Sequence, residues 1–352
     1  MQQNSSEKPR MGAFLRIIGK VLLVLAETVL LVAIALYGVM FVLAKGPSPT
    51  ARNLFVRSVR ETSAIGFLAD IYFTPEEIEA IESSGQEEIY IQTDTSLINI
   101  SAETESNGED AWGLVDEDGD GIILEEVKGE GYCGYMMVVL DPSRVIMGCI
   151  PGSFGARGYT VEEMTKEFDA LAGINAGGFY DPNGSGNGSI PDTMTVYEGQ
   201  IYYGSYGARN GFVGIDADNI LHVGKLMEND VKERNIQYGV GFGPVLISNG
   251  EVALAENNIG GLNPRTAIGQ RSDGAMLLLV IDGRQASSIG ATYMDLCDIF
   301  LEYGAVNACN LDGGSSTLMW YEDHYVNNCA SVVGIRPVPT TFLVMKEGAV
   351  NG

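Results

Sequence analysis

Histidine is nearly missing from this chain: His222 and His324 are the only two in 352 residues, and neither sits in an H-E-x-x-H frame. A zinc hydrolase of that design is excluded. No G-x-S-x-G elbow occurs, which leaves a serine hydrolase poorly supported. The glycines at 239, 241 and 243 run into Pro244 rather than into a helix, so a dinucleotide fingerprint fails as well. Cysteine is sparse, at 133, 149, 297, 309 and 329, without a C-x-x-C pair. That removes a zinc knuckle and a thioredoxin motif, and leaves open two disulfides with one free thiol or five reduced thiols. Positive charge is scarce too: 21 Lys and Arg against 46 Asp and Glu give a net charge of −25. Nucleic acid is thereby disfavoured as a partner, because binding it means neutralising phosphates with Lys and Arg. An anionic substrate would need a local basic pocket set against that field.

Long apolar runs are confined to one place. Val21 to Ala44 is almost wholly apolar, long enough as a helix to cross a hydrocarbon layer of roughly 30 Å. The run exceeds a signal-peptide core and no A-x-A site follows it, so an uncleaved single-pass anchor is expected. Lys8, Arg10, Arg16 and Lys20 precede it, and Lys45, Arg52, Arg57 and Arg60 follow. The positive-inside balance is therefore close. The economical arrangement places residues 1–20 in the cytoplasm, residues 21–44 in the cell membrane, and the large acidic C-terminal domain outside.

Residues 45–121 read as a linker and small helical stalk. Thr74-Pro75-Glu76-Glu77 supplies an N-cap, a proline at the first helical position and a glutamate at the third, starting a helix through Glu82. Residues 83–112 are polar, with one apolar alternation around Ile89 to Ile100, and are expected to be partly flexible. Asp116-Glu117-Asp118-Gly119-Asp120-Gly121 imitates a calcium loop, but its twelfth position is Val127 where a bidentate glutamate is needed. An acidic turn ahead of a strand is the better reading. No cofactor follows from these motifs, and a divalent cation, calcium, stays open.

From Ile122 to residue 352 one folded domain is expected. Residues 134–140 and 145–150 read as strands, Thr160 to Glu163 as a capping box opening a helix to about Leu171, Ala275 to Ile281 as a buried strand, and Tyr293 to Tyr303 as a helix. Many of the 45 glycines lie beyond residue 170, where a turn-rich domain would use them. Strands interspersed with two long helices make an α+β, mixed-sheet domain. No internal repeat is visible.

Three loops in this domain are built alike. They are Asn175-Ala176-Gly177-Gly178-Phe179-Tyr180, Asn263-Pro264-Arg265-Thr266-Ala267, and Asn310-Leu311-Asp312-Gly313-Gly314-Ser315. Each borders an apolar strand and couples small residues to one strongly polar side chain. Asn175 is able to donate or accept, Arg265 to clamp a phosphate or carboxylate through two N–H bonds, and Asp312 to serve as acid, base or nucleophile. Asp282-Gly283-Arg284 adds a second carboxylate and a second guanidinium. The bland alternatives are a turn-capping amide for Asn175, a structural ion pair for Arg265, and turn residues for Asp282 and Asp312.

At these residues the chain resembles the phosphodiester glycosidases. The resemblance rests on NAGGFY at 175–180, NPRTAIGQ at 263–270, DGR at 282–284 with the Ser287–Gly290 stretch, NLDGGSS at 310–316 and RPVPTTFLV at 336–344, in that order, over Ile122 to Met345. Two departures stand out: the Asp312 turn is one glycine short of the G-G-G-S of many relatives, and Ala176 replaces a glycine. The resemblance implies hydrolysis of a sugar-1-phosphodiester, of the N-acetylglucosamine-1-phosphodiester kind, in cell-surface or exopolysaccharide metabolism. On that basis Asp312, Asp282 and Arg265 are the expected catalytic residues. Asn175, Gly177, Gly178, Arg284, Asn310, Gly313, Gly314 and Ser315 are expected to hold the sugar and phosphate, the glycines through open N–H groups. The rival reading is a non-catalytic, membrane-anchored polysaccharide-binding or assembly protein, which would bind such a diester without releasing sugar.

Overall fold

A computed structural model describes residues 8–62, 65–84, 92–100, 112–182, 186–202, 204, 211–255, 258–331 and 334–348. Much of the expected flexible stretch 83–112, together with residues 1–7, lies outside them. The first helix, α1 (Lys8–Lys45), contains the apolar run and is long and apolar enough to cross a membrane. Three shorter helices follow: α2 (Pro49–Arg60), α3 (Phe67–Asp70) and α4 (Pro75–Ser83). The Thr74 capping box forms as its residues predict, with Thr74 and Glu77 each satisfying the other's backbone N–H. The end of α1 and these helices share a small core of their own, including Ala44, Val56, Val59, Tyr72, Phe73, Ile78 and Ile81. Arg57 stitches it shut by donating to the Ile81 carbonyl at 3.0 Å.

The domain then runs β1 (Ile122–Gly129), β2 (Tyr132–Val139), β3 (Val145–Cys149), α5 (Val161–Glu167) and β4 (Ala170–Asn175). A run of short strands follows: β5 (Thr195–Tyr197), β6 (Gln200–Tyr202), β7 (Phe212–Asp216), β8 (Leu221–Gly224), then α6 (Glu228–Glu233), β9 (Ile236–Val240), β10 (Val245–Ser248) and β11 (Glu251–Val252). The last third supplies β12 (Arg265–Arg271), β13 (Met276–Ile281), α7 (Tyr293–Glu302), β14 (Ala305–Asn310), β15 (Met319–Tyr321), β16 (His324–Tyr325) and β17 (Thr340–Met345). The architecture is α+β behind an N-terminal apolar helix, as expected. The helix opened by Thr160 is shorter than expected, because the chain turns at Phe168 and Asp169 and enters β4 at Ala170.

Among the described residues, three antiparallel sheets carry the fold. The largest has the order β1-β2-β13-β12-β14-β10-β11, and two five-stranded sheets run β16-β15-β4-β17-β3 and β6-β5-β9-β7-β8. The centre of the large sheet, β13, β12 and β14, is buried on both faces, which explains why β13 reads as an unbroken apolar run. Side chains alternate along it. Met276, Leu278 and Val280 join the core shared with the two smaller sheets, while Leu277, Leu279 and Ile281 pack toward Leu296, Ile299 and Phe300 of α7. None of the five cysteines forms a disulfide, and Cys149, Cys297 and Cys309 are buried, so they act as small core residues. Burial pushes Cys149 and Cys297 up to about 12.

The acidic turn before β1 behaves as a turn. Asp116 accepts the Gly119 and Gly121 N–H groups, Asp120 accepts that of Ile122, and the three aspartate carboxylates come within 4.8 Å of one another. Val127 is an inward residue of β1, which accounts for the missing twelfth-position glutamate.

Candidate active site

The three loops meet where β4 and β14 end and β12 begins. The Asp312 N–H donates to the Ala176 carbonyl at 2.9 Å, and the Leu311 N–H to that of Thr266 at 2.8 Å. The Gly314 N–H donates to the Pro264 carbonyl at 2.9 Å. Gly314 has φ +62, open to glycine at little cost, and a side chain at Gly313 would meet the Pro264 oxygen at 2.7 Å. The paired glycines thus press the Asp312 turn onto the chain entering β12. Asn175, wholly buried, locks the junction: its Nδ2 donates to the Asp312 carbonyl at 2.6 Å, and its Oδ1 accepts from Thr266 Oγ1 at 2.8 Å and from the Leu318 N–H at 3.2 Å. It holds the loops together rather than reaching for a ligand.

The expectation of open glycine amides is corrected in two places. Besides that of Gly314, the Gly177 N–H is engaged inside the fold, by Thr340 Oγ1 at 3.0 Å. Loops that pack on one another use their own amides as the glue. Gly178 accepts the Asp192 N–H through its carbonyl, and Ser315 lies half-buried in the short helical turn Gly314–Ser316. Asn310 donates to the Gly243 carbonyl at 2.9 Å, while its buried Oδ1 has no partner.

Asp282 meets a different geometry from the substrate-facing carboxylate expected of it. Buried at the end of β13, it accepts from Asn327 Nδ2 at 3.0 Å and from the Asn328 N–H at 3.0 Å through one oxygen, and from Asn328 Nδ2 at 2.9 Å through the other. It anchors the 327–328 loop against the sheet.

Arg265, at the start of β12, is almost fully buried and sits over the Tyr293 ring with 4.2 Å to the centroid. Its Nε donates to the Ala291 carbonyl at 3.1 Å, and its Nη2 reaches the Glu61 carboxylate at 2.8 Å. Glu61 also accepts from the Gly261 N–H at 3.0 Å and from Asn263 Nδ2 at 2.9 Å. Arg284 completes the group, its Nη2 donating to Asn263 Oδ1 at 3.0 Å and to Thr62 Oγ1 at 2.8 Å. Burial pulls Arg265 down, but Glu61 and Tyr293 together more than reverse this and hold it above the ordinary arginine value. Arg284 is pulled below that value by burial and then by Arg265's like charge. Tyr293 is pushed up to about 12 by burial and by Glu61. The result is a cradle for one oxyanion, made of a guanidinium, an amide and a backbone N–H, with a second guanidinium beside it.

Four contributors escaped the sequence reading. Asn263 precedes Arg265 by two, which turns both side chains of an extended chain the same way, whereas Gly261 contributes a backbone N–H. That signal was available. Glu61 and Thr62 gave none, lying some 200 positions from their partners.

The phosphodiester glycosidase model matches residues 168–345, half of the chain. This chain belongs to the phosphodiester glycosidase family. All eleven expected site residues fall inside the matched stretch, whereas Glu61 and Thr62 fall outside it. A Bacillus subtilis protein named SPbeta prophage-derived uncharacterized protein YomE is 31% identical over 193 residues, 51% of this chain and 29% of its own length. The mouse N-acetylglucosamine-1-phosphodiester alpha-N-acetylglucosaminidase is 26% identical over 219 residues, 55% of this chain and 41% of its own. The chain therefore spans less than half the length of these curated relatives. Among solved structures, the zebrafish enzyme of the same name, described as a catalytic domain auto-inhibited by its pro-peptide, aligns with TM-score 0.54 and 20% identity. That alignment covers 71% of this chain and 87% of the zebrafish chain and shows a shared fold.

Proposed function

We propose that this phosphodiester glycosidase hydrolyses a sugar-1-phosphodiester of the N-acetylglucosamine-1-phosphodiester kind, outside the cell and anchored by α1, in cell-surface or exopolysaccharide metabolism. The supporting observation is the oxyanion cradle of Arg265, Asn263 and the Gly261 N–H beside Arg284, adjoining the Asp312 turn in an otherwise acidic chain. In this reading the guanidinium groups hold the phosphate. Water adds to the anomeric carbon and gives its proton to Asp312, and the sugar C1–O bond breaks. The phosphomonoester leaves with the bonding electrons. Because phosphate is a good leaving group, a cation that stabilises its charge replaces much of the acid help an alkoxide would need. Asn175 and Asp282 then position, the first by holding the Asp312 turn and the second by holding the 327–328 loop.

The test is product analysis on a panel of sugar-1-phosphodiesters with the full chain in detergent, with and without chelator. Release of free sugar and phosphomonoester is expected. Ligand-induced stabilisation without release of sugar would point instead to a binding module.

A further inference from the structure

The stalk helices are fastened on two sides. Toward the domain, Glu61 pairs with Arg265 at 2.8 Å, Thr62 Oγ1 accepts from Arg284 at 2.8 Å, and Ser58 Oγ accepts the Leu262 N–H at 2.9 Å. Toward α1, Tyr72 Oη donates to the Tyr37 carbonyl at 3.1 Å with the two ring centroids 5.5 Å apart. Ala44 of α1 shares a core with Val56 and Val59 of α2. We infer that α2 and α3 form a foot in the surface of the bilayer that α1 crosses, with lipid chains as its partner. The Arg265 site is thereby held at that surface, and the sugar diester it takes carries a lipid aglycone. The inference rests on the anchoring and hydrolysis proposed above and adds the class of the aglycone.

Helix length sets the depth of the foot. The candidate span Phe14–Lys45 has 32 residues, roughly 48 Å of helix against a hydrocarbon layer of roughly 30 Å. Arg16 and Lys20 mark one edge of that layer. About 20 residues cross it, so the other edge falls near Met40. Tyr37 lies on the lipid side of that edge, and Tyr72 is bonded to it. Just before Tyr72, Phe67 is 60% and Ile71 52% exposed, four residues apart on one face of α3, and Ile65 is 39% exposed. Beside an apolar helix at this depth, the patch continues a lipid-facing surface. Neighbouring charges are tied sideways instead of facing lipid: Arg60 to Glu82 at 3.3 Å and to Asp70 at 4.0 Å, and Lys45 to Glu77 at 3.8 Å. Glu61 lies two residues beyond Val59, so the Arg265 cradle adjoins the layer packed on α1.

The experiment reconstitutes the full chain in phosphatidylcholine vesicles whose acyl chains are brominated near the headgroup. Flotation with the vesicles tests the anchor by itself, and a chain that stays behind removes anchor and foot together. In the floating protein, the fluorescence that Phe67→Trp adds should be quenched by the brominated lipid, while that of the native Trp112 and Trp320 should not. An unquenched Phe67→Trp signal in a floating chain overturns the foot and leaves the anchor standing. The second readout compares two N-acetylglucosamine-1-phosphodiesters, one on a lipid in the vesicles and one soluble in water. Phe67→Ser combined with Ile71→Ser should lower kcat/KM on the lipid diester about tenfold and leave the soluble one unchanged. Equal loss on both diesters, or loss on neither, overturns the proposal. If neither diester is cleaved even by the native protein, the hydrolytic reading falls and the lipid aglycone with it, while quenching still decides the foot.

Discussion

Strand β12 begins with one buried arginine and ends with another, and the two resemble each other closely. Arg265 stacks on Tyr293 and pairs with Glu61, while Arg271 stacks on Trp112 at 4.0 Å and pairs with Asp273, its Nε to Oδ1 at 3.1 Å. They differ in where the carboxylate comes from. Asp273 is two residues away in the turn to β13, so that pair forms with the turn and lasts as long as the sheet does. Glu61 arrives from a separate helical layer, so the Arg265 pair joins two layers of the fold. A buried ion pair alone therefore says little about function; where its two halves come from says more.

The comparison can be broken most forcefully at the carboxylates. Asp312→Asn, beside the Arg265 end, should reduce turnover on a sugar-1-phosphodiester by about 10²–10⁴-fold with the melting temperature nearly unchanged. Asp273→Asn, at the other end, should leave turnover intact. Equal rates for Asp312→Asn and the native protein would remove Asp312 from the mechanism.

The arginines come next. Arg265→Ala should lower kcat/KM by about 10²-fold through the lost phosphate contact. Arg271→Ala should keep the rate and lose about 2 kcal/mol in a denaturant titration. That is less than a fully buried pair would cost, because Asp273 can hydrate. Matching effects on rate at the two ends would erase the distinction between them.

Asn175→Ala should cost about 1–3 kcal/mol, since the Thr266 hydroxyl and the Leu318 N–H both lose a buried partner. Activity should fall with it as the Asp312 turn loosens.

The smallest expected effect is in alkali. Tyr197, Tyr293, Tyr303 and Tyr321 are each pushed up to about 12, first by burial. Their folded values lie above those of the unfolded chain, so the unfolded state releases these protons first. Stability is therefore level below about pH 10 and falls as pH rises toward 12. Tyrosinate absorbance followed alongside unfolding checks this. In Glu61→Ala, Tyr293 should ionise at lower pH than in the native protein, while Tyr303 should not move.

Much of this was legible in the sequence because the signals are local. The apolar run of β13, the two threonine capping boxes and the glycine pair at 313–314 all act within a few residues, and each forms as its chemistry dictates. The convergence of Asn175, Arg265, Arg284 and Asp312 followed from five ordered motifs, since their loops pack by backbone contact. Partners distant in sequence were not legible. Asp282 looked reactive because nothing near it revealed Asn327 and Asn328. The Gly177 and Gly314 amides looked open because Thr340 and Pro264 are remote from them in sequence. Glu61 carried no mark at all, being one acid among 46 in Asp and Glu combined.

The central claim is that a sugar phosphodiester is gripped by the Arg265 cradle. A crystal structure with a non-hydrolysable phosphonate analogue of an N-acetylglucosamine-1-phosphodiester tests it most directly. The predicted result is phosphonate oxygens bonded to Arg265, Asn263 and Arg284. An analogue bound away from these residues would contradict the account.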